Sequence, residues 1–173
     1  MAADAVRPPD AWRRLACFLY EGVLLFGVVM AAGLIYSPLT NQRHALIGTY
    51  GLRAWIFVVL GAYFIYFWSR QGQTLPMRTW HIALVGPDGG RVSVARAAAR
   101  YLLSWLWFLP ALAAVGLSGL HGGGVTAAIV LAGVAVYAAL VWLHPSRQFL
   151  HDVLCGTRLV VRDAKAVGQN PAG

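Results

Sequence analysis

Residues 101–146 read YLLSWLWFLPALAAVGLSGLHGGGVTAAIVLAGVAVYAALVWLHPS. None of these 46 residues is Asp, Glu, Lys or Arg. A helix rises about 1.5 Å per residue and needs roughly 20 apolar residues to cross about 30 Å of hydrocarbon. The run is long enough for two crossings. Its main break is Gly119-Leu-His-Gly-Gly-Gly-Val125, glycine-rich as a tight turn between helices requires. The spacing predicts membrane helices over 101–118 and 125–143, with Pro110 kinking the first.

Working outward, Arg70 to Arg100 is a polar stretch with five arginines. It predicts a loop over 70–98. Inside it, Trp80–Val85 is strand-like, Gly86-Pro-Asp-Gly-Gly90 is a turn and Arg91–Val94 is a return strand, giving a small β-hairpin over 80–94. A second membrane helix is predicted over 52–69, with Tyr63, Tyr66 and Trp68 as an interfacial aromatic belt. The first runs over 15–37, after a polar arm at 1–14, and Ser37-Pro38 ends it. It is expected to stay uncleaved, because its apolar run is too long for a signal peptide and carries Glu21. Beyond the fourth helix, residues 146–155 predict a short amphipathic helix on the membrane surface, capped by Ser146 and Gly156. A strand over 157–161 is expected to join the hairpin, followed by a flexible tail over 162–173.

Composition agrees with this layout. Of the 173 residues, 59 % are hydrophobic and 12 % charged, where soluble domains average roughly 45–50 % and about 25 %. The mean hydropathy is +0.63. These values exclude a disordered chain, and two cysteines, Cys17 and Cys155, exclude a disulfide scaffold. The net charge of +8 does not imply nucleic acid, since membrane proteins collect Lys and Arg in cytoplasmic loops. Twelve of the 14 Lys and Arg fall in the N-terminal arm, the 70–100 loop and the C-terminal part. Arg43 and Arg53 sit in the first short loop. The asymmetry predicts both termini and the long loop in the cytoplasm. The expected class is an all-α membrane protein with four transmembrane helices, a cytoplasmic surface helix and a small cytoplasmic sheet.

Glu21 is the one acid inside a predicted span. A carboxylate there costs on the order of 2.5–3.5 kcal/mol on insertion scales, which makes it a functional-site candidate. Arg14 lies two turns earlier on the same face, about 10 Å away by helical rise. Glu21 is therefore expected to tie helices together through Arg100, Arg147 or a backbone group of another segment, with the two arginines the leading partners, or to handle protons or ions. Asp152, beside His151, is expected either to pair with an arginine or to relay protons through the imidazole. The five histidines show no metal-ligand spacing, so no metal and no cofactor are expected. Gly27 and Gly33, with Ala31 and Ala32, are expected to be helix-packing positions.

Three stretches together resemble the RDD family of small multi-pass bacterial membrane proteins. The first is Arg14-Leu-Ala-Cys-Phe-Leu-Tyr-Glu21, where the family usually has Asp in the place of Glu21. The second is Gly72-Gln73-Thr74-Leu-Pro-Met77, with Pro76 replacing a small residue. The third is Arg147-Gln-Phe-Leu-His-Asp152 followed by Gly156-Thr157. The resemblance spans about residues 12–162 and implies a location in the bacterial inner membrane. It also implies transport, the usual proposal for the family. The competing expectation is a non-catalytic scaffold that presents its basic face to a partner protein or anionic lipid. No enzyme is expected, since no nucleophile–base pair, metal set or phosphate loop occurs. Besides the bilayer, the expected partners are a second copy or another membrane protein, because four helices are few for alternating access.

Overall fold

The uncharged runs form helices, and the arginine-rich segments fold into a cap at one end of them. A computed structural model describes residues 8–40, 49–119, 122–143 and 148–161. In order, α1 is Ala11–Leu39, α2 Thr49–Arg70, α3 Leu75–Thr79, β1 Ile82–Val85, α4 Val94–Ser104, α5 Leu109–Ser118, α6 Gly123–Leu143, α7 Leu150–Cys155 and β2 Arg158–Val161. Arg147, the Ser146 cap, residues 1–7 of the arm and the 162–173 tail lie outside the described residues.

Among the described residues four stretches are long and apolar enough to cross a membrane: Ala11–Leu39, Thr49–Arg70, Val94–Ser118 and Gly123–Val141. Between 6 % and 17 % of each is buried inside the protein. Surface this apolar and this uncovered implies a lipid bilayer around it. Helix α2 packs against α1 and α4, and α5 packs against α6. Close approach depends on two glycines. A Cβ at Gly61 would meet the Tyr101 ring at 3.0 Å, and one at Gly133 would meet the Ala111 methyl at 2.5 Å. Of the packing positions expected in α1, Ala32 is buried and its carbonyl accepts from Trp55 Nε1 at 3.1 Å, while Ala31 is exposed and a Cβ at Gly27 or Gly33 would meet nothing within 4 Å among the described residues.

The third span is not one kinked helix. It breaks into α4 and α5 through a 3-10 turn at Trp105–Trp107. Pro110 therefore sits in the first turn of α5, where its missing N–H costs nothing. At the other proline the first span continues to Leu39, one residue past Pro38.

The hairpin over 80–94 does not form. The turn does: the Gly86 N–H donates to the Gly90 carbonyl at 2.9 Å, and Gly89 takes a positive φ of 77°. After it, Ser93 caps α4 by accepting from the Arg96 N–H at 3.3 Å, so Val94 enters the helix. The alanine-rich stretch that follows favours helix over a return strand. β1 instead pairs antiparallel with β2, in the register Ile82↔Val161 to Val85↔Arg158. The expected contribution of 157–161 to the sheet is thus present, and its partner is β1 alone.

A two-stranded sheet is marginal by itself. Here side-chain amides close both outer edges. Gln73 Nε2 donates to the Ile82 carbonyl at 2.8 Å, and the Leu84 N–H donates to the Gly72 carbonyl at 2.8 Å. On the other edge Gln148 accepts from the Leu159 N–H at 3.0 Å and donates to its carbonyl at 3.2 Å. Ile82, Leu84, Leu159, Val92, Met77, Trp68, Ala97, Tyr101 and Cys17 form one buried core where this sheet meets the helices.

Helix α7 starts at Leu150 rather than Ser146, with Phe149 as an extended N-cap residue. Gly156 ends it in the left-handed conformation (φ 63°), as expected.

Candidate functional site

Two polar centres are built inside this frame. The first surrounds Asp152 in α7. Its side chain is fully buried, and Oδ1 accepts from Arg100 Nε of α4 at 2.7 Å. Arg100 is itself 6 % exposed, with its guanidinium 4.2 Å from the centroid of the Trp68 ring of α2. Thr157 donates its hydroxyl to the same Oδ1 at 3.1 Å, and its N–H to the Asp152 carbonyl at 2.8 Å. Gly156 makes this possible by turning the chain back at the end of α7. The ion pair therefore joins α2, α4, α7 and the start of β2.

His151 extends the network. Tyr137 of α6 accepts from the His151 backbone N–H at 3.2 Å, and its hydroxyl lies 2.9 Å from His151 Nδ1. The Tyr137 proton is then free to go to Nδ1, which leaves the ring proton on Nε2, 3.7 Å from Asp152 Oδ1. That is too long for a hydrogen bond. Burial pushes the imidazole down to about 4. The Asp152 charge opposes that shift, and Arg100 adds to it. His151 is therefore neutral at physiological pH. Its ring stacks on Phe149, and Phe149 lies 5.5 Å from the Arg14 guanidinium. Arg14 holds its place by donating from Nε to the Pro9 carbonyl at 2.9 Å and lies within electrostatic reach of Asp152.

The second centre surrounds Glu21. Tyr63 of α2 donates to Oε1 at 2.9 Å, and Thr74 donates to Oε2 at 2.5 Å. Thr74 is buried and caps α3, accepting from the Met77 N–H at 3.4 Å. The carboxylate thus faces the bundle, but the pairing expected with Arg100 does not form. Arg100 is committed to Asp152, and Arg147 lies outside the described residues. Among the described residues Glu21 makes no ion pair. Two hydroxyl donors take the place of a cation.

Along α1, Arg14, Cys17 and Glu21 share one face and link the two centres. Of the residues singled out from sequence, Arg100, His151, Asp152, Gly156 and Thr157 meet at the first centre, with Arg14 beside it. Glu21 and Thr74 meet at the second, while Gly72 and Gln73 close the sheet edge. Tyr63 and Trp68 leave the aromatic belt for these centres, and Tyr66 stays exposed. Sequence reading missed Tyr63 and Tyr137 as partners and missed Gln148 altogether. Gln148 carried a faint signal, as an uncharged amide inside the Arg147–Asp152 stretch.

Four apolar spans closed at one end by a sheet and a buried ion-pair network define a multi-pass integral membrane protein. The chain belongs to the RDD family, a family of membrane proteins whose model matches residues 8–156. No curated protein and no solved structure matches it.

Proposed function

We propose that this protein acts in transport, as an ion- or proton-coupled carrier or as a subunit of one, in the bacterial inner membrane with both termini in the cytoplasm. One observation carries the reading. Glu21 lies in a membrane span with both oxygens hydrogen-bonded to neutral hydroxyls and no cation within ion-pair distance among the described residues. An acid held this way can change its charge without breaking a salt bridge, and ionisable residues inside membrane spans mark ion and proton pathways. Asp152, by contrast, is tied to Arg100. Four spans are few for alternating access, so the working unit is an oligomer or includes a second membrane protein. The chemistry is non-enzymatic.

The test is ion or proton flux into proteoliposomes, compared with protein-free vesicles. Wild type is expected to raise flux and Glu21→Gln to remove it. Equal flux with and without the wild-type protein, or full flux in Glu21→Gln, contradicts the reading.

A further inference from the structure

Helix α7 is turned the wrong way for water. Its polar side chains His151 and Asp152 point inward, while Leu150 and Leu154, four residues apart and on one face, expose 43 % and 60 % of their surface. Val94 at the start of α4 is exposed as well. An interfacial helix buries such a face at the boundary between headgroups and acyl chains.

One end of the sheet carries cations. Val85, the last residue of β1, is in register with Arg158. At the next residue, Gly86, a Cβ would meet the Asp88 carboxylate at 2.8 Å, the Arg96 guanidinium at 3.5 Å and the Arg91 carbonyl at 3.7 Å. Helix α7 ends at Cys155, the residue after Leu154, and Arg158 opens β2 three residues further on. Arg91, Arg96 and Arg158 are therefore brought to one end of the sheet, with Asp88 as the acid among them and the start of α4 and end of α7 alongside. Arg91 and Arg158 are exposed and Arg96 half-buried. Among the described residues none of the three forms an ion pair.

We propose that Arg91, Arg96 and Arg158 form a binding site for the phosphate of an anionic phospholipid, whose acyl chains lie against Leu150 and Leu154. Guanidinium groups match phosphate oxygens in a bidentate geometry. The adjoining apolar face favours a lipid phosphate over a free one. The site is separate from Glu21, so it stands or falls independently of transport.

The experiment reconstitutes the full chain in phosphatidylcholine bilayers with trace spin-labelled phosphatidylglycerol or spin-labelled phosphatidylcholine, and reads the motionally restricted fraction of each. Wild type is expected to hold the anionic probe several-fold more strongly. That preference should collapse as salt rises from 0.1 M to 1 M and the screening length contracts from about 10 Å to about 3 Å. The triple variant Arg91→Gln/Arg96→Gln/Arg158→Gln is expected to bring the ratio near unity, while Arg13→Gln/Arg70→Gln keeps most of it. If the triple variant does not fold, the single changes Arg91→Gln and Arg158→Gln, at exposed side chains, carry the test, and each is expected to lower the ratio. Three results overturn the proposal. They are no preference in wild type, an unchanged preference in the arginine variants, and a preference that millimolar inorganic phosphate removes at constant ionic strength.

Discussion

Asp152 has no exposed surface and pairs with Arg100 at 2.7 Å, with Thr157 on the same oxygen. Removing one member of a buried pair leaves the other uncompensated, at a cost of about 3–5 kcal/mol. Asp152→Asn is accordingly expected to lower stability by that order, as read by unfolding in detergent micelles. A loss under about 1 kcal/mol would place the pair among those that contribute little, as surface pairs do. His151 supplies a pH dependence. Its folded pKa near 4 lies below the ordinary value of 6.5. Between these values the unfolded chain binds more protons than the folded one. The stability due to the neutral ring is thus complete above pH 6.5 and is lost as pH falls towards 4. Its size is on the order of 3 kcal/mol. The measurement is stability against pH in wild type and in His151→Gln, which should flatten across that window. An equal slope in both would assign the effect to another group.

At the scale of elements, glutamines bond the outer edges of the sheet in addition to its own ladder. Gln148→Ala would leave the buried Leu159 N–H and carbonyl without their partners, at a cost of about 1–3 kcal/mol per group. Faster hydrogen exchange at the Leu159 amide is the expected sign. Unchanged protection there would mean that the β1–β2 ladder is sufficient alone. This element also shows what a sequence can and cannot give. The spans were legible because lipid demands long uncharged runs, and 101–146 is such a run. The β-character of 80–85 and 157–161 was legible from side-chain type, and Gly86–Gly90 from turn chemistry. The hairpin failed because a turn signal is local and does not name the partner strand. Ser93, a good helix cap, competed for the same residues and won. The donors to Glu21 were illegible for a related reason. Tyr63 and Thr74 lie 42 and 53 residues away, and Tyr63 has an ordinary reading nearer home, as a belt aromatic. Thr74 stood out through the family motif, with nothing to tie it to Glu21.

For the whole molecule, the sheet, α7 and the ion-pair network gather at the end where α2 finishes and α4 begins. If the arginine asymmetry sets orientation, that end is cytoplasmic. Reporter fusions at Gly86 and Gly173 are then expected to report the cytoplasm, and one at Gly123 the outside. An external signal at Gly86 would reverse the topology. The central claim is a division of labour between two inward-facing carboxylates, with Asp152 paired to hold the cap on the bundle and Glu21, which has no cation partner among the described residues, carrying charge. Measuring flux and thermal unfolding on the same preparations of wild type, Glu21→Gln and Asp152→Asn tests it most directly. The expected result is that Glu21→Gln loses flux and unfolds near the wild-type temperature, while Asp152→Asn unfolds well below it. Full flux in Glu21→Gln together with a large loss of its stability would contradict the account.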